Sequence, residues 1–353
     1  MTARSALVLF LRIGVSVGLL VFLFVQVRID FGELWPDDGT AVAWLLFAFG
    51  CMVGSLVLAS LRWQQVCRAL HLDVSSVRLF WHTIAGQFLS NFVPTTVGGD
   101  VLRVSRLGKD TGDRPTSFTT VILERLSGWM VLPASIFLGL ALDPSLRGLG
   151  AATRGAMVAA IVTLVALSLI ILAAGNDFTG RLLERYEGPL RWLHAVHEGL
   201  DALRERPRQI VRILATGAAY QGMLIVAFWA AAQSIGIEGF GLRAAAAFVP
   251  AVLIVQVLPL GIGGLGVREG TLVLFLGSLD VPDEQAVALG LTIYALTILM
   301  SLIGLPSLVF GGGLGDDEED DGDPDEGDVE GDGEGDGRSA AADDGATESP
   351  DRN

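Results

Sequence analysis

The 353-residue chain has one lysine, two cysteines and four histidines. Cys51 and Cys67 form no Cys-x-x-Cys pair, so neither a zinc site nor a disulfide framework is indicated. His194 and His197 have metal-ligand spacing, but no cysteine stands near them and no His-Glu-x-x-His run contains them, so an amphipathic surface helix accounts for them better. No phosphate-binding loop of the GxxxxGK type is present, which argues against ATP hydrolysis. Gly261-x-Gly263-x-x-Gly266 matches a dinucleotide fingerprint but follows an apolar run too long for a strand, outside any β-α-β pattern. No cofactor, no nucleic-acid partner and no enzymatic domain are expected.

Charge is also missing locally. Segments 41–61, 155–175, 213–237 and 286–315 carry none. A helix rises about 1.5 Å per residue, so about 20 residues cross the hydrocarbon core of a bilayer. Two further segments read as spans: 7–27, which carries Arg12, and 119–142, which carries Glu124 and Arg125. The first resembles a signal peptide but has no small-x-small cleavage site after it, so a retained helix is expected.

The net charge of −15 belongs to one end. Residues 316–353 hold 18 acids and two arginines; the rest hold 21 acids and 22 bases. The chain therefore divides into a membrane region, 1–315, and a Gly-rich acidic tail, 316–353, expected to be disordered for lack of core-forming residues.

Loop charge gives an orientation. Segments 62–78, 103–114 and 175–209 are rich in arginine and should be cytoplasmic; 28–40, 143–150 and 280–285 are acidic or weakly charged and should face out. The parities agree if 79–99 and 244–279, both broken by Pro and Gly, enter the membrane and return to the same side. The expected architecture is an all-α membrane protein of six spanning helices plus two re-entrant hairpins. It is multi-pass in the cytoplasmic membrane with both termini cytoplasmic, and 181–206 forms an amphipathic surface helix.

The two broken segments match. Asn91-x-x-Pro94-x-x-x-Gly98-Gly99-x-x-x-Arg103 recurs as Gln256-x-x-Pro259-x-x-x-Gly263-Gly264-x-x-x-Arg268, offset by 165 positions. The halves, about 5–145 and 153–315, then have opposite orientation: an inverted repeat with broken helices at matching places, the pattern of a transporter's midplane site. Pro and Gly free peptide N–H groups, a half-helix presents its positive end, and Arg adds a two-pronged donor; together these suit phosphate or carboxylate. The alternative is a pair of structural kinks with Arg103 and Arg268 in interfacial water. Glu124 and Arg125, neighbours on a span, need different partners: Arg103 or Arg106 for the first, Asp100 or Glu269 for the second.

In order, Arg62-Trp63, Asn91-x-x-Pro94-x-x-x-Gly98-Gly99-Asp100-x-x-Arg103, Glu124-Arg125 and Pro259-x-x-x-Gly263-Gly264-x-Gly266-x-x-Glu269 resemble the flippase-like membrane domain of the lysylphosphatidylglycerol synthase family, over about residues 5–315. The resemblance implies translocation, as flippase or scramblase, of an anionic lipid or a polyprenyl-phosphate-linked sugar. It implies a substrate-binding role for Arg62, Asp100, Glu124, Arg125 and Glu269 beside the repeated motif residues, and a glycosyltransferase or lipid-synthesis partner. Full-length synthases carry a soluble aminoacyl-transferase domain after this region; here the acidic tail follows, so that activity is not implied. A membrane enzyme that modifies a lipid head group, or a non-catalytic membrane subunit of a lipid or glycan pathway, are the alternatives.

Overall fold

Every regular element among the described residues (39–92, 98–174, 191–257 and 264–309 of the computed structural model) is helical. In chain order these are α1 Gly39–Ala69, α2 Ser76–Phe92, α3 Gly98–Thr111, α4 Arg114–Leu142, α5 Ala151–Ala174, α6 Arg191–Arg204, α7 Pro207–Ser234, α8 Leu242–Gln256, α9 Val267–Gly277, α10 Asp283–Leu302 and α11 Leu305–Val309. Five of them, α1, α4, α5, α7 and α10, are long and apolar enough to cross a membrane. The expected span at 7–27 and the acidic tail lie outside the described residues, as does most of the first part of segment 181–206, of which α6 is described.

Burial on α5 shows what solvent the fold requires. Its inward stripe is small: Ala152, Ala156, Ala160 and Thr163, closed by Leu167. Val162, Leu169 and Leu172 face outward, each about 60–66% exposed. A soluble protein would turn the large residues in; a helix in lipid gains nothing by that and packs on its small residues instead. The same rule joins α4 to α8. A side chain at Gly139 would overlap the backbone of Ala246 and Ala247, so glycine sets how closely the two helices approach.

Local chemistry places the helix ends. Asp113 caps α4 by accepting from the Thr116 amide at 3.0 Å, with Pro115 in the first turn. Asp143 ends the helix and starts the short 3₁₀ turn Pro144–Gly148, accepting from the hydroxyl and amide of Ser145 at 2.6 and 3.1 Å. The Ser145 hydrogen bonds hold the Asp143 carboxyl below the ordinary aspartate range.

Shifted by 165, α1 to α4 fall at 204–234, 241–257, 263–276 and 279–307, onto α7, α8, α9 and the α10–α11 pair. The repeat read from one motif thus extends to a whole order of elements: span, short helix, break, short helix, span. The breaks themselves, 93–97 and 258–263, lie outside the described residues, and with them Pro94, Pro259 and Gly263.

Two expectations change. Segment 103–114, read as a basic loop, is mostly α3, because it forms an amphipathic helix; Arg103 turns inward and Arg106 reaches Ser307 of α11, donating to its hydroxyl and carbonyl oxygens at 2.7 and 2.8 Å. The uncharged run 286–315 is not one span. α10 stops at Leu302, and Gly304 turns the chain against the Ile84 carbonyl of α2, where a side chain would not fit.

The helices define two ends. At one, Arg206 ahead of α7 donates to the Ala69 carbonyl at the end of α1, 3.1 Å away, so the basic segments 62–78 and 204–208 adjoin. At the other, Leu146, Ile237, Phe240 and Val281 join one buried apolar cluster, which draws together the loops after α4, α7 and α9.

Candidate functional site

Five charged side chains form one connected chain inside the helices. Glu124, ten residues into α4 and so about 15 Å along its axis, is 4% exposed. Its Oε1 accepts from Nε of Arg62 on α1 at 3.0 Å and from the same guanidinium's Nη2. Its Oε2 accepts from Nη1 and Nη2 of Arg103 on α3, both at 3.3 Å. Arg103 reaches on to Asp100 of its own helix at 3.6 Å, and Asp100 pairs with Arg125 at 2.5 Å. Arg62 and Arg103 are 5% and 8% exposed. Three cations against two anions leave the cluster with one positive charge in excess.

Aromatic rings and glycines hold the arginines. The Arg103 guanidinium lies 4.1 Å from the centroid of the Trp63 ring, and Arg62 5.0 Å from that of Tyr220 on α7. Trp63 is fixed in turn by donating its indole N–H to Thr120 at 3.0 Å. Gly128 stands one turn after Glu124, and a Cβ there would lie 2.8 Å from Nη1 of Arg62; Gly217 flanks the same guanidinium from α7. The two glycines make the slot that admits Arg62.

The cluster borders a cavity of about 230 Å³. Arg62, Arg103, Glu124 and Arg125 line it, with Gln87 of α2, Tyr220 and Gln221 of α7, and Gln256 at the end of α8. Both halves of the repeat therefore contribute. Arg62 Nη1, Arg103 Nε and Gln221 Nε2 are buried with no hydrogen-bond partner among the described residues. Donors exceed acceptors on this wall, which suits an anion rather than a cation.

The remaining residues singled out from sequence fall elsewhere. A side chain at Gly99 would overlap Gly86 and Ser90, so Gly99 is the crossing point of α2 and α3. Gly98 opens α3, whose first turn already carries Asp100. Asn91 ends α2 half-buried, its Nδ2 without a partner among the described residues. Gly264 adopts φ +76° and packs against Gln256, a backbone conformation that favours glycine. Arg268 and Glu269 do not line the cavity. Glu269 is fully buried, accepts from Arg268 at 2.6 and 3.1 Å, and with its other oxygen accepts from the Gly266 amide at 2.6 Å. Its own carboxylate thus caps the start of α9. Arg268 also faces the Tyr294 ring, at 5.3 Å from its centroid. Of the two repeated arginines expected in one cradle, Arg103 lines the cavity and Arg268 does not; among the described residues named in the second motif, Gln256 is the one that reaches the cavity.

Glycines 128 and 217, and the polar pair Tyr220 and Gln221, were not singled out from sequence. A signal existed: a polar residue in an otherwise apolar span faces protein or a cavity.

Residues 9–304 match the model of the family described as Lysylphosphatidylglycerol synthase TM region. The chain belongs to this family. It is also similar to a UPF0104 membrane protein of Methanothermobacter thermautotrophicus, 27% identical over 256 residues, which cover 66% of this chain and 75% of that protein. The family match and the five long apolar helices make it a multi-pass membrane protein of a lipid-related family.

Proposed function

We propose that the protein moves an anionic lipid, either a phospholipid or a polyprenyl-phosphate-linked sugar, across the cytoplasmic membrane, with the cavity beside Glu124 as the head-group site. The observation that carries this reading is the arginine excess on a buried wall to which both repeats contribute. Charge at such depth is costly unless it is paired or serves a passage. The Arg62–Glu124–Arg103 arrangement does both. Glu124 holds the two guanidinium groups side by side, one on each carboxylate oxygen, and a phosphate that enters offers each of them a two-pronged contact. Movement follows from the repeat: two similar halves rocking about a shared cavity expose it to one side and then the other.

In this reading the halves are inverted. The end where Arg206 meets Ala69 is cytoplasmic, because its loops carry the arginines, and both termini lie on that side. Lipid crossing of this kind needs no chemistry on the substrate. The test is the purified protein in liposomes with labelled lipids of both classes, scored for leaflet exchange and for chemical change. Leaflet exchange without chemical change supports the proposal; a modified head group with no exchange replaces it with a membrane enzyme.

A further inference from the structure

A second recess lies on the other side of the Asp100–Arg125 pair. It encloses about 430 Å³ between α3 and α4, walled chiefly by Val101, Val104, Phe118, Val121 and Ile122. Asp100 belongs to its wall, while Arg125 belongs to the wall of the polar cavity. The ion pair at 2.5 Å therefore forms the partition between an apolar groove and an arginine-rich chamber. Val101 is 61% exposed, so the groove opens outward from the helices. Of the three arginines in the cluster, Arg125 has the freest side chain, 42% exposed against 6% and 9% for Arg62 and Arg103.

We infer that the groove is the lateral passage for the hydrocarbon chain of a membrane lipid whose anionic head occupies the cavity, and that Asp100–Arg125 is its gate. This rests on the translocation reading for the head group. An anionic head entering the cavity competes with Asp100 for Arg125. Asp100 is not stranded when Arg125 turns to the ligand, since Arg103 already stands 3.6 Å from it on the other side. Charges stay paired in both positions, which keeps such an exchange inexpensive at membrane depth. The apolar wall supplies no driving force, because a chain in lipid is already in an apolar medium. Its role is to give the chain room while the head is drawn by charge. A polar channel alone would serve a free anion; an apolar groove separated from the cation-rich chamber by a single ion pair is what selects a lipid.

The test uses the full chain in liposomes containing phosphatidic acid with a photoactivatable group in its acyl chain, and a matched phosphatidylcholine. Irradiation is expected to attach phosphatidic acid to residues 101–122 in clear preference to phosphatidylcholine. Val101→Trp, an exposed position that leaves folding intact, should lower both the groove adducts and lipid movement about tenfold, the order expected for forcing atoms into a filled space. Leu169→Trp on the outer face of α5 should change neither. Arg125→Gln should erase the preference for the anionic head. Adducts confined to other helices, or Val101→Trp at full adduct yield, overturn the passage. If Val101→Trp moves lipid at the original rate without groove adducts, the passage falls and translocation stands. If the groove takes up phosphatidic acid selectively but no lipid crosses, the passage stands and translocation falls.

Discussion

The Arg103 guanidinium lies over the Trp63 indole, 4.1 Å from its centroid, while its two Nη atoms both face Oε2 of Glu124. Stacking on one side and a forked contact on the other require a planar group. Arg103→Lys keeps the charge and loses both contacts. It should reduce lipid movement by about 10- to 150-fold, the equivalent of about 1.5–3 kcal/mol for charge-assisted hydrogen bonds, and lower the melting temperature less than Arg103→Gln does, because the buried carboxylates keep a cation beside them. Arg103→Gln should reduce it further. Initial rates in liposomes, read beside thermal melts, check this.

Glu124 neutralises two buried arginines at once, so its removal is a folding defect before it is a transport defect. Glu124→Gln should lower stability by about 3–5 kcal/mol, as breaking a buried pair does. Arg62→Met together with Glu124→Met should cost less than the sum of the two single changes. Melting temperatures of the four proteins in one detergent decide it; additive losses would show that the pair is not coupled.

Gly99 and Gly128 separate packing from binding. Gly99→Leu drives a side chain into Gly86 of α2 and should abolish folded protein. Gly128→Ala meets only the end of the Arg62 side chain. It should leave a folded protein, at a cost of about 1–3 kcal/mol for overpacking, with weakened head-group selectivity. Size-exclusion profiles and liposome rates distinguish the two outcomes.

Arg268 tests the asymmetry of the repeat. Paired with Glu269 and faced by Tyr294, it lies off the cavity wall. Arg268→Lys should lower the melting temperature while the preference among anionic and zwitterionic lipids stays as it was. A change of preference without loss of stability would return Arg268 to the binding site.

Orientation is read by single cysteines, after replacing the buried Cys51 and Cys67. Lys109 and Arg208, both exposed, should react from the cytoplasmic side; Ser145 and Glu284, also exposed, from outside. Membrane-impermeant labelling of intact cells against inverted vesicles gives the answer. Asp73, exposed ahead of α2, should react from the same side as Lys109; opposite sides for these two would remove the first hairpin.

Much of the architecture is written locally. A segment without charge for 20 residues crosses lipid because no other placement satisfies its backbone and its side chains together. α1, α4, α5, α7 and α10 all stand where such segments, or in the case of α4 a segment with one charged dipeptide, are read. The 165-residue offset, visible in thirteen aligned positions, carries the four helices α1 to α4 onto α7, α8, α9 and the α10–α11 pair. Span ends were less legible. Nothing within 286–302 announces that α10 stops before Gly304, because the reason is the Ile84 carbonyl, more than 200 residues away.

The candidate site divides the same way. Composition and spacing determined that arginines and carboxylates would sit at membrane depth, that two Gly- and Pro-broken segments would correspond, and that any charge there must find a partner. Which partner was a matter of tertiary structure. Asp100 for Arg125, Arg62 and Arg103 sharing Glu124, and Arg268 withdrawn onto Glu269 are contacts decided by how closely helices approach, and that distance is set by glycines such as Gly99, Gly128 and Gly217 on different elements. A repeat in sequence makes two halves alike in backbone. It does not make them alike in side-chain pairing, since each charged group in a low-dielectric interior takes the nearest opposite charge, and in this fold the nearest one differs between the halves.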